Sequence, residues 1–331
     1  MVTEHLPKVI LTDAINPAAH ARLAEKARIF MLPPSLSREE ADQVLRAELV
    51  DAHGLIVRRR LPDDLLEGPH QLKGIVRHGV GLDFIPVDSA TRHGIPVANT
   101  PEVNAQSVAE YAIAAMLESA RRLRYFDAQV REGNWEARKG AGAATYELHK
   151  RRLGIVGFGA IGKKIASIAS GGFDMRVAAY TRTPSRLPSN VESQSLEALF
   201  ATSDFIVLAC PLTDETRGMI NRAVLEKAKP NLVLVNVARG PVIKEADLVD
   251  ALGKGLIAGS ALDVFEVQPL PEDSPLRDHP RVLLTPHLAG MTEDAEYAMG
   301  LMAVDTQLAL IRGERPSNIV NDTCFKKQET L

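Results

Sequence analysis

Cysteine is almost missing from this chain: Cys210 and Cys324 are the only two in 331 residues. So few thiols, so far apart, exclude a disulfide-stapled secreted fold and read as a reduced, intracellular protein. Neither cysteine stands at a zinc-like spacing from a histidine, so no metal is expected. An excess of charge is missing as well. Lys and Arg number 39 against 42 Asp and Glu, a net charge of −3, which offers no global attraction to nucleic acid or to an acidic membrane. Long apolar runs are the third absence. The Phe205–Leu212 run stops well short of the ~18 residues that a spanning helix needs. Glu4 and Lys8 interrupt the apolar stretch from Met1 to Leu11, which argues against a signal peptide. The expectation is a cytoplasmic protein that handles small neutral or anionic molecules.

What is present is a globular composition, 45% hydrophobic and 24% charged. Apolar runs of strand length recur at Val9–Leu11, Ile29–Leu32, Gly54–Val57, Gly74–Val76 and Ile95–Ala98. Between them, Ala18–Ala27 and Glu39–Val50 carry Leu and Ala at helical spacing, the second behind a Ser37/Glu40 capping box. Such alternation predicts a parallel sheet covered by helices. The character shifts at Thr100-Pro101, where Asn104 opens a long Ala-rich helix running through Arg124 that should be deeply buried. A second series of strands follows at Arg152–Val156, Val177–Tyr180, Phe205–Ala209, Leu232–Val235, Ala258–Ala261 and Val282–Thr285. The fold class is therefore α/β, with two doubly wound parallel-sheet domains. The polar tail from Arg312 is expected to return across the first of them.

Leu153 to Gly162 reads as a strand, then G-x-G-x-x-G, then a helix. Gly157 permits the tight turn, Gly159 lets a pyrophosphate approach the backbone, and Gly162 allows the helix to pack on its strand, with Ala160 and Ile161 offering amides at the helix N-terminus. Strand before and helix after favour a dinucleotide site over a turn that binds nothing. An NAD site places a carboxylate at the end of the next strand to bind the ribose hydroxyls. Here that place reads Tyr180-Thr181-Arg182-Thr183, with Arg186 beyond. Arg182 would pair with a 2′-phosphate, and the two threonines would supply hydroxyls, so NADP is preferred, with NAD as the alternative.

Three segments follow predicted strands: Asn236-Val237-Ala238-Arg239-Gly240, Leu262-Asp263-Val264-Phe265-Glu266-Val267-Gln268-Pro269, and Leu284-Thr285-Pro286-His287-Leu288-Ala289-Gly290. In doubly wound sheets ligands bind at these carboxyl ends. With the glycines of the turn, and with Gly79-Val80-Gly81-Leu82-Asp83, Asn99-Thr100-Pro101 and Ser107-Val108-Ala109-Glu110, they make a chain that resembles the D-isomer specific 2-hydroxyacid dehydrogenases along nearly its whole length.

The resemblance implies a flavodoxin-like substrate domain of residues 1–100 plus 291–331, a Rossmann dinucleotide domain of residues 101–290, and an active site in the cleft between them. It implies that Arg239 holds a 2-oxo acid carboxylate as a forked cation, and that His287 exchanges the proton of the substrate oxygen. Where most of the family has a glutamate before the proline, this chain has Gln268; Glu266 stays a minor candidate for that role. By the same resemblance Asp263 would bind the nicotinamide carboxamide. Pro211, Thr213, Val237, Ala238 and Gly290 would line the cofactor. Val80 and Gly81 would offer amides to the substrate carboxylate, with Asn104 and Arg58 in the same cleft and Arg59 and Arg60 as a solvated edge. Trp135 would anchor a homodimer or wall the cleft.

The activity implied is hydride transfer between nicotinamide C4 and C2 of a small 2-oxo or 2-hydroxy acid, with glyoxylate and hydroxypyruvate as first candidates. Two alternatives stand beside it. Formate dehydrogenases of the same superfamily also place Gln beside the catalytic histidine, although they mostly keep an acid where this chain has Thr181 and Arg182. Some relatives are dinucleotide-sensing corepressors, against which the intact Arg239 and His287 argue.

Overall fold

The computed structural model describes residues 6–327. The chain divides into two compact units, one made of the residues up to Asn104 and those from Met291 onward, the other of Ala105–Gly290. The division falls four residues later than the expected 100/101, because residues 101–104 stay with the first unit and the chain leaves it only where a helix begins at Ala105.

In the first unit five strands, β1 (Lys8–Leu11), β2 (Arg28–Met31), β3 (Gly54–Val57), β4 (Ile75–Arg77) and β5 (Val97–Ala98), form a parallel sheet in the order β2-β1-β3-β4-β5. β1 and β3 are buried at every residue, as strands covered on both faces must be. Helix Pro17–Ala24 starts on Asn16, whose side chain accepts from Ala18 N–H. Helix Arg38–Leu49 starts on the predicted capping box, in which Ser37 and Glu40 satisfy each other's amides.

The second unit holds β6 (Arg152–Val156), β7 (Arg176–Tyr180), β8 (Val191–Ser193), β9 (Phe205–Leu208), β10 (Val233–Asn236), β11 (Gly259–Leu262) and β12 (Val282–Leu284). All are parallel, in the order β12-β11-β10-β9-β6-β7-β8. β8 has no sequence signature, since only Val191 of its three residues is buried. The single helix expected over residues 104–124 is two: Ala105–Arg121 and Leu123–Arg131, parted by Arg122 in the left-handed region at φ 53°. The reason is local. The Glu118 carboxylate accepts from Arg124 N–H at 3.2 and 3.3 Å, capping the second helix before the first has run on.

The C-terminal helix Glu293–Ile311 belongs to the first unit and closes one face of its sheet. Its buried Gln307 accepts from Leu55 N–H at 3.2 Å and donates to Gly74 O at 3.4 Å, stitching the helix to the backbone at the start of β3 and just before β4. A side chain at Gly54 would collide with that amide at 2.6 Å. Beyond the helix, Ile319 bridges antiparallel to Ala98, and the Asn321 side chain accepts from Val97 N–H at 2.7 Å. The expected return of the tail across this unit therefore holds as far as residue 327; the last four residues lie outside the described ones. Replacing Gln307 with Leu keeps the volume but strands the Leu55 N–H in the core, and should cost about 1–3 kcal/mol in urea unfolding. A smaller loss would mean that the amide bonds contribute nothing beyond packing.

Candidate active site

The glycine-rich turn lies where the strand order of the second sheet reverses, between β6 and β9. Gly157 has φ +93° and donates to Tyr180 O at 2.9 Å; a Cβ on it would stand 2.7 Å from the Cys210 backbone. A Cβ on Gly162 would stand 2.4 Å from Gly157 O. Gly159 by contrast faces open space, with nothing within 4 Å of a built Cβ. Two glycines are thus dictated by protein contacts and the middle one is not. Room for a pyrophosphate over the amides of Ala160 and Ile161 accounts for that pattern, so these residues fit a dinucleotide.

After β7, Thr181 is half-buried, and Arg182 and Thr183 are exposed. No carboxylate occupies the end of this strand, and the nearest ion-pair partner of Arg182 is Glu215 at 3.9 Å, with both side chains about three-quarters exposed. After β9, Pro211 O accepts from the Thr216 hydroxyl at 2.7 Å, and Thr213 closes the same turn by accepting from Thr216 N–H at 3.3 Å. Burial pushes the neighbouring Cys210 thiol up to about 11, so it stays protonated and serves as packing.

Arg239, Gln268 and His287 come from the ends of three adjacent strands, β10, β11 and β12. The fully buried Asn236 shapes the first loop by accepting from Ala238 N–H at 3.0 Å and donating to Arg239 O at 3.1 Å. Val237 and Ala238 are buried, and their amides are spent within the unit, on Leu208 O and on Asn236. The Arg239 guanidinium donates to Ala238 O at 2.7 Å. A Cβ on Gly240 would lie 1.9 Å from the Phe265 carbonyl, so this loop is pressed directly on the segment that leads to Gln268. Gln268 Oε1 stands 3.2 Å from His287 Nδ1. His287 itself has φ 56°, a conformation that non-glycine residues adopt at a cost of about 1–2 kcal/mol. The Glu266 N–H donates to Glu245 Oε2 at 3.0 Å.

Asp263 clamps the loop that carries His287. It is 2% exposed, with Oδ1 accepting from the Thr285 hydroxyl at 2.7 Å and Leu288 N–H at 2.8 Å and Oδ2 from Ala289 N–H at 2.9 Å. Both oxygens hold the His287 loop, and with three donors the carboxylate keeps acceptor capacity for a carboxamide N–H. Gly290 ends that loop, half-buried.

In the first unit, Val80 is exposed and Gly81 half-exposed, and neither amide has an acceptor among the described residues. Arg77 holds their loop: it donates to Gly81 O at 3.2 Å, to Val57 O at 2.9 Å and to Arg58 O at 2.7 Å, and its guanidinium lies 4.6 Å over the Phe84 ring. Sequence reading missed it, because a mid-chain arginine has no signature of its own. Asn104 has a buried Oδ1 with no partner. His78, also missed, is buried with an unpartnered Nε2, and burial with the nearby Arg58 charge pushes it down to about 4, which keeps it neutral. Arg58 has a partner that local sequence does not show. Its guanidinium is held bidentately by Glu296 at 2.8 and 2.8 Å. Arg59 likewise pairs with Asp13 at 2.8 Å and is no solvated edge.

The family model for the NAD-binding domain of D-isomer specific 2-hydroxyacid dehydrogenases matches residues 113–289. The chain belongs to that family. It is 37% identical to the glyoxylate reductase of Pyrococcus furiosus over 97% of both chains, and 35% identical to glyoxylate/hydroxypyruvate reductase B of Pectobacterium carotovorum over 97% of this chain and 99% of that one. The structure of an NADPH-dependent glyoxylate/hydroxypyruvate reductase from Sinorhizobium meliloti, solved with NADP and malonate, superposes with a TM-score of 0.85 at 32% identity, covering 96% of this chain and 97% of that one. The dehydrogenase is thus an oxidoreductase of two parallel-sheet α/β domains. Among the described residues no helix is long and apolar enough to cross a membrane, and no group of three or more His, Cys, Asp or Glu could hold a metal ion.

The Gly240 contact tests the construction of the site. Gly240→Ala forces the two loops apart and should lower stability by about 1–3 kcal/mol or more. Thermal unfolding by circular dichroism checks it; an unchanged Tm would mean that the contact relaxes freely.

Proposed function

We propose that this dehydrogenase reduces small 2-oxo acids, glyoxylate and hydroxypyruvate first, with a preference for NADPH. The observation that carries the reading is that three adjacent strands, β10, β11 and β12, lead to Arg239, Asp263 and His287. The names of the relatives at 34–37% identity support the substrate class.

The bound dinucleotide supplies a hydride to C2 of the substrate. The protein supplies the rest. Arg239 offers a permanent forked cation to the substrate carboxylate. With the Gln268 oxygen turned to the ring, Nδ1 of His287 carries its proton, which leaves Nε2 to donate a proton to the carbonyl oxygen as it becomes hydroxyl. Gln268 orients this ring without adding charge. Thr181, Arg182 and Thr183 are assigned to the 2′-phosphate, an assignment supported by the missing carboxylate after β7. Leu123, Tyr125, Val130 and Trp135 are all exposed on the arm that follows the Ala105 helix, which supports a homodimer. A cytoplasmic location completes the reading.

Initial rates with NADPH or NADH against glyoxylate, hydroxypyruvate and pyruvate, with formate plus NAD or NADP alongside, test the assignment. Formate oxidation without 2-oxo acid turnover would overturn it. Arg182→Ala should raise the KM for NADPH about tenfold and leave that for NADH nearly unchanged; equal effects on both would remove Arg182 from the phosphate site. Gln268→Glu places a carboxylate on the imidazolium and favours its protonated form. Reduction needs that form, so its alkaline limb should move up by roughly one pH unit. A kcat against pH profile reads this, and an unmoved limb would break the Gln268–His287 pairing.

A further inference from the structure

The Ala105–Arg121 helix contributes a side chain to the His287 loop that no motif announces. Tyr111 is half-buried, and its Oη stands 2.5 Å from Thr285 Oγ1. The same Thr285 oxygen lies 2.7 Å from Asp263 Oδ1, and the Asp263 carboxylate holds the amides of Leu288 and Ala289 at 2.8 and 2.9 Å. The direction of this chain follows from chemistry. A carboxylate only accepts, so the Thr285 hydroxyl gives its single proton to Asp263, and Tyr111 must then donate to Thr285. Burial, foremost, pushes the Tyr111 phenol up to about 12, so the proton it donates is always present. A continuous run of hydrogen bonds thus leads from the helix, through the residue after β12, to the aspartate after β11. Each bond polarises the next.

We propose that Tyr111 is a positioning residue for catalysis, acting through Thr285 and Asp263 to hold the backbone of residues 287–289 and thereby the imidazole of His287. The loop needs such a hold. His287 sits at φ 56°, and its own N–H is shared between Asp263 O at 2.8 Å and Thr285 O at 3.0 Å. A strained residue keeps its conformation only where its surroundings over-determine it. Asp263 and Thr285 both accept from its amide, and Tyr111 fixes which way Thr285 points. The arrangement also accounts for a polar, bulky tyrosine on a helix whose buried positions are otherwise small or aliphatic.

The proposal rests on the reading of His287 as the proton donor, so its test has one arm that needs no turnover. Tyr111→Phe, Thr285→Val and Thr285→Ser are compared with the unaltered enzyme for kcat and KM in glyoxylate reduction, and for amide hydrogen exchange at Leu288 and Ala289. The phenyl and isopropyl replacements should each lower kcat about tenfold with KM within twofold and speed exchange of both amides about tenfold, since a small displacement of an acid from its substrate is felt in the chemical step more than in binding. Thr285→Ser, which keeps the hydroxyl, should restore both. The double variant Tyr111→Phe/Thr285→Val should be no worse than either single one, because one chain is broken once. Exchange left unchanged, kcat losses that Thr285→Ser does not restore, or additive losses would overturn the proposal. If the unaltered enzyme turns over no 2-oxo acid, the assigned function fails, and the exchange rates alone decide whether Tyr111 holds the loop.

Discussion

Three successive backbone N–H groups, those of His287, Leu288 and Ala289, all end on one buried aspartate: the first on its carbonyl, the other two on its carboxylate. The histidine's left-handed backbone depends on that concentration of acceptors, because nothing in the residue itself favours φ 56°. Asp263 is a charge held at 2% exposure, which is tolerable only when every oxygen is satisfied. Loop and aspartate therefore stabilise each other. Gln268 then adjusts the ring of a residue whose backbone is already settled, which is why an amide can stand where a carboxylate is usual without the site losing its shape.

Topology does the rest of the assembly in the second unit. Parallel strands all point their carboxyl ends the same way, so β10, β11 and β12 deliver an arginine, an aspartate and a histidine to one edge of the sheet without any long loop. The close approach of Gly240 to Phe265 removes the slack between two of those strand ends. At the reversal of strand order between β6 and β9, Gly157 does the same for the turn after β6 and the loop at Cys210.

Much of this was legible beforehand because it is local. Strand runs, the Ser37 cap and the glycine turn are short-range patterns, and the segments around Arg239, Gln268 and His287 are read in a row. What escaped is long-range or conformational. Tyr111 lies 174 residues from the hydroxyl it meets, and no spacing rule spans that gap. The Arg58–Glu296 pair joins residues 238 apart, and no local pattern announces it. β8 carries one buried residue, too little pattern to register, and the break at Arg122 goes with a carboxylate reaching forward to an amide six residues on, which periodicity does not encode. Asp263 was legible as a strand-end carboxylate but its hold on the His287 loop was not, since such a group looks the same whether it faces a ligand or its own loop.

The first unit is discontinuous, with Gln307 and Asn321 returning from the far end of the chain to satisfy amides of β3 and β5. During synthesis the ribosome delivers all of Ala105–Gly290 before it delivers either of them. The second unit can therefore acquire its complete core while the nascent first unit still lacks a helix over one face of its sheet. Domains fold as units and in the order in which they are completed. Until the Glu293–Ile311 helix emerges, the face that carries Val9, Leu11, Ile56 and Val76 has only the Pro17–Ala24 helix packed on it, so the part of this unit that is made first becomes native after the unit that is made later.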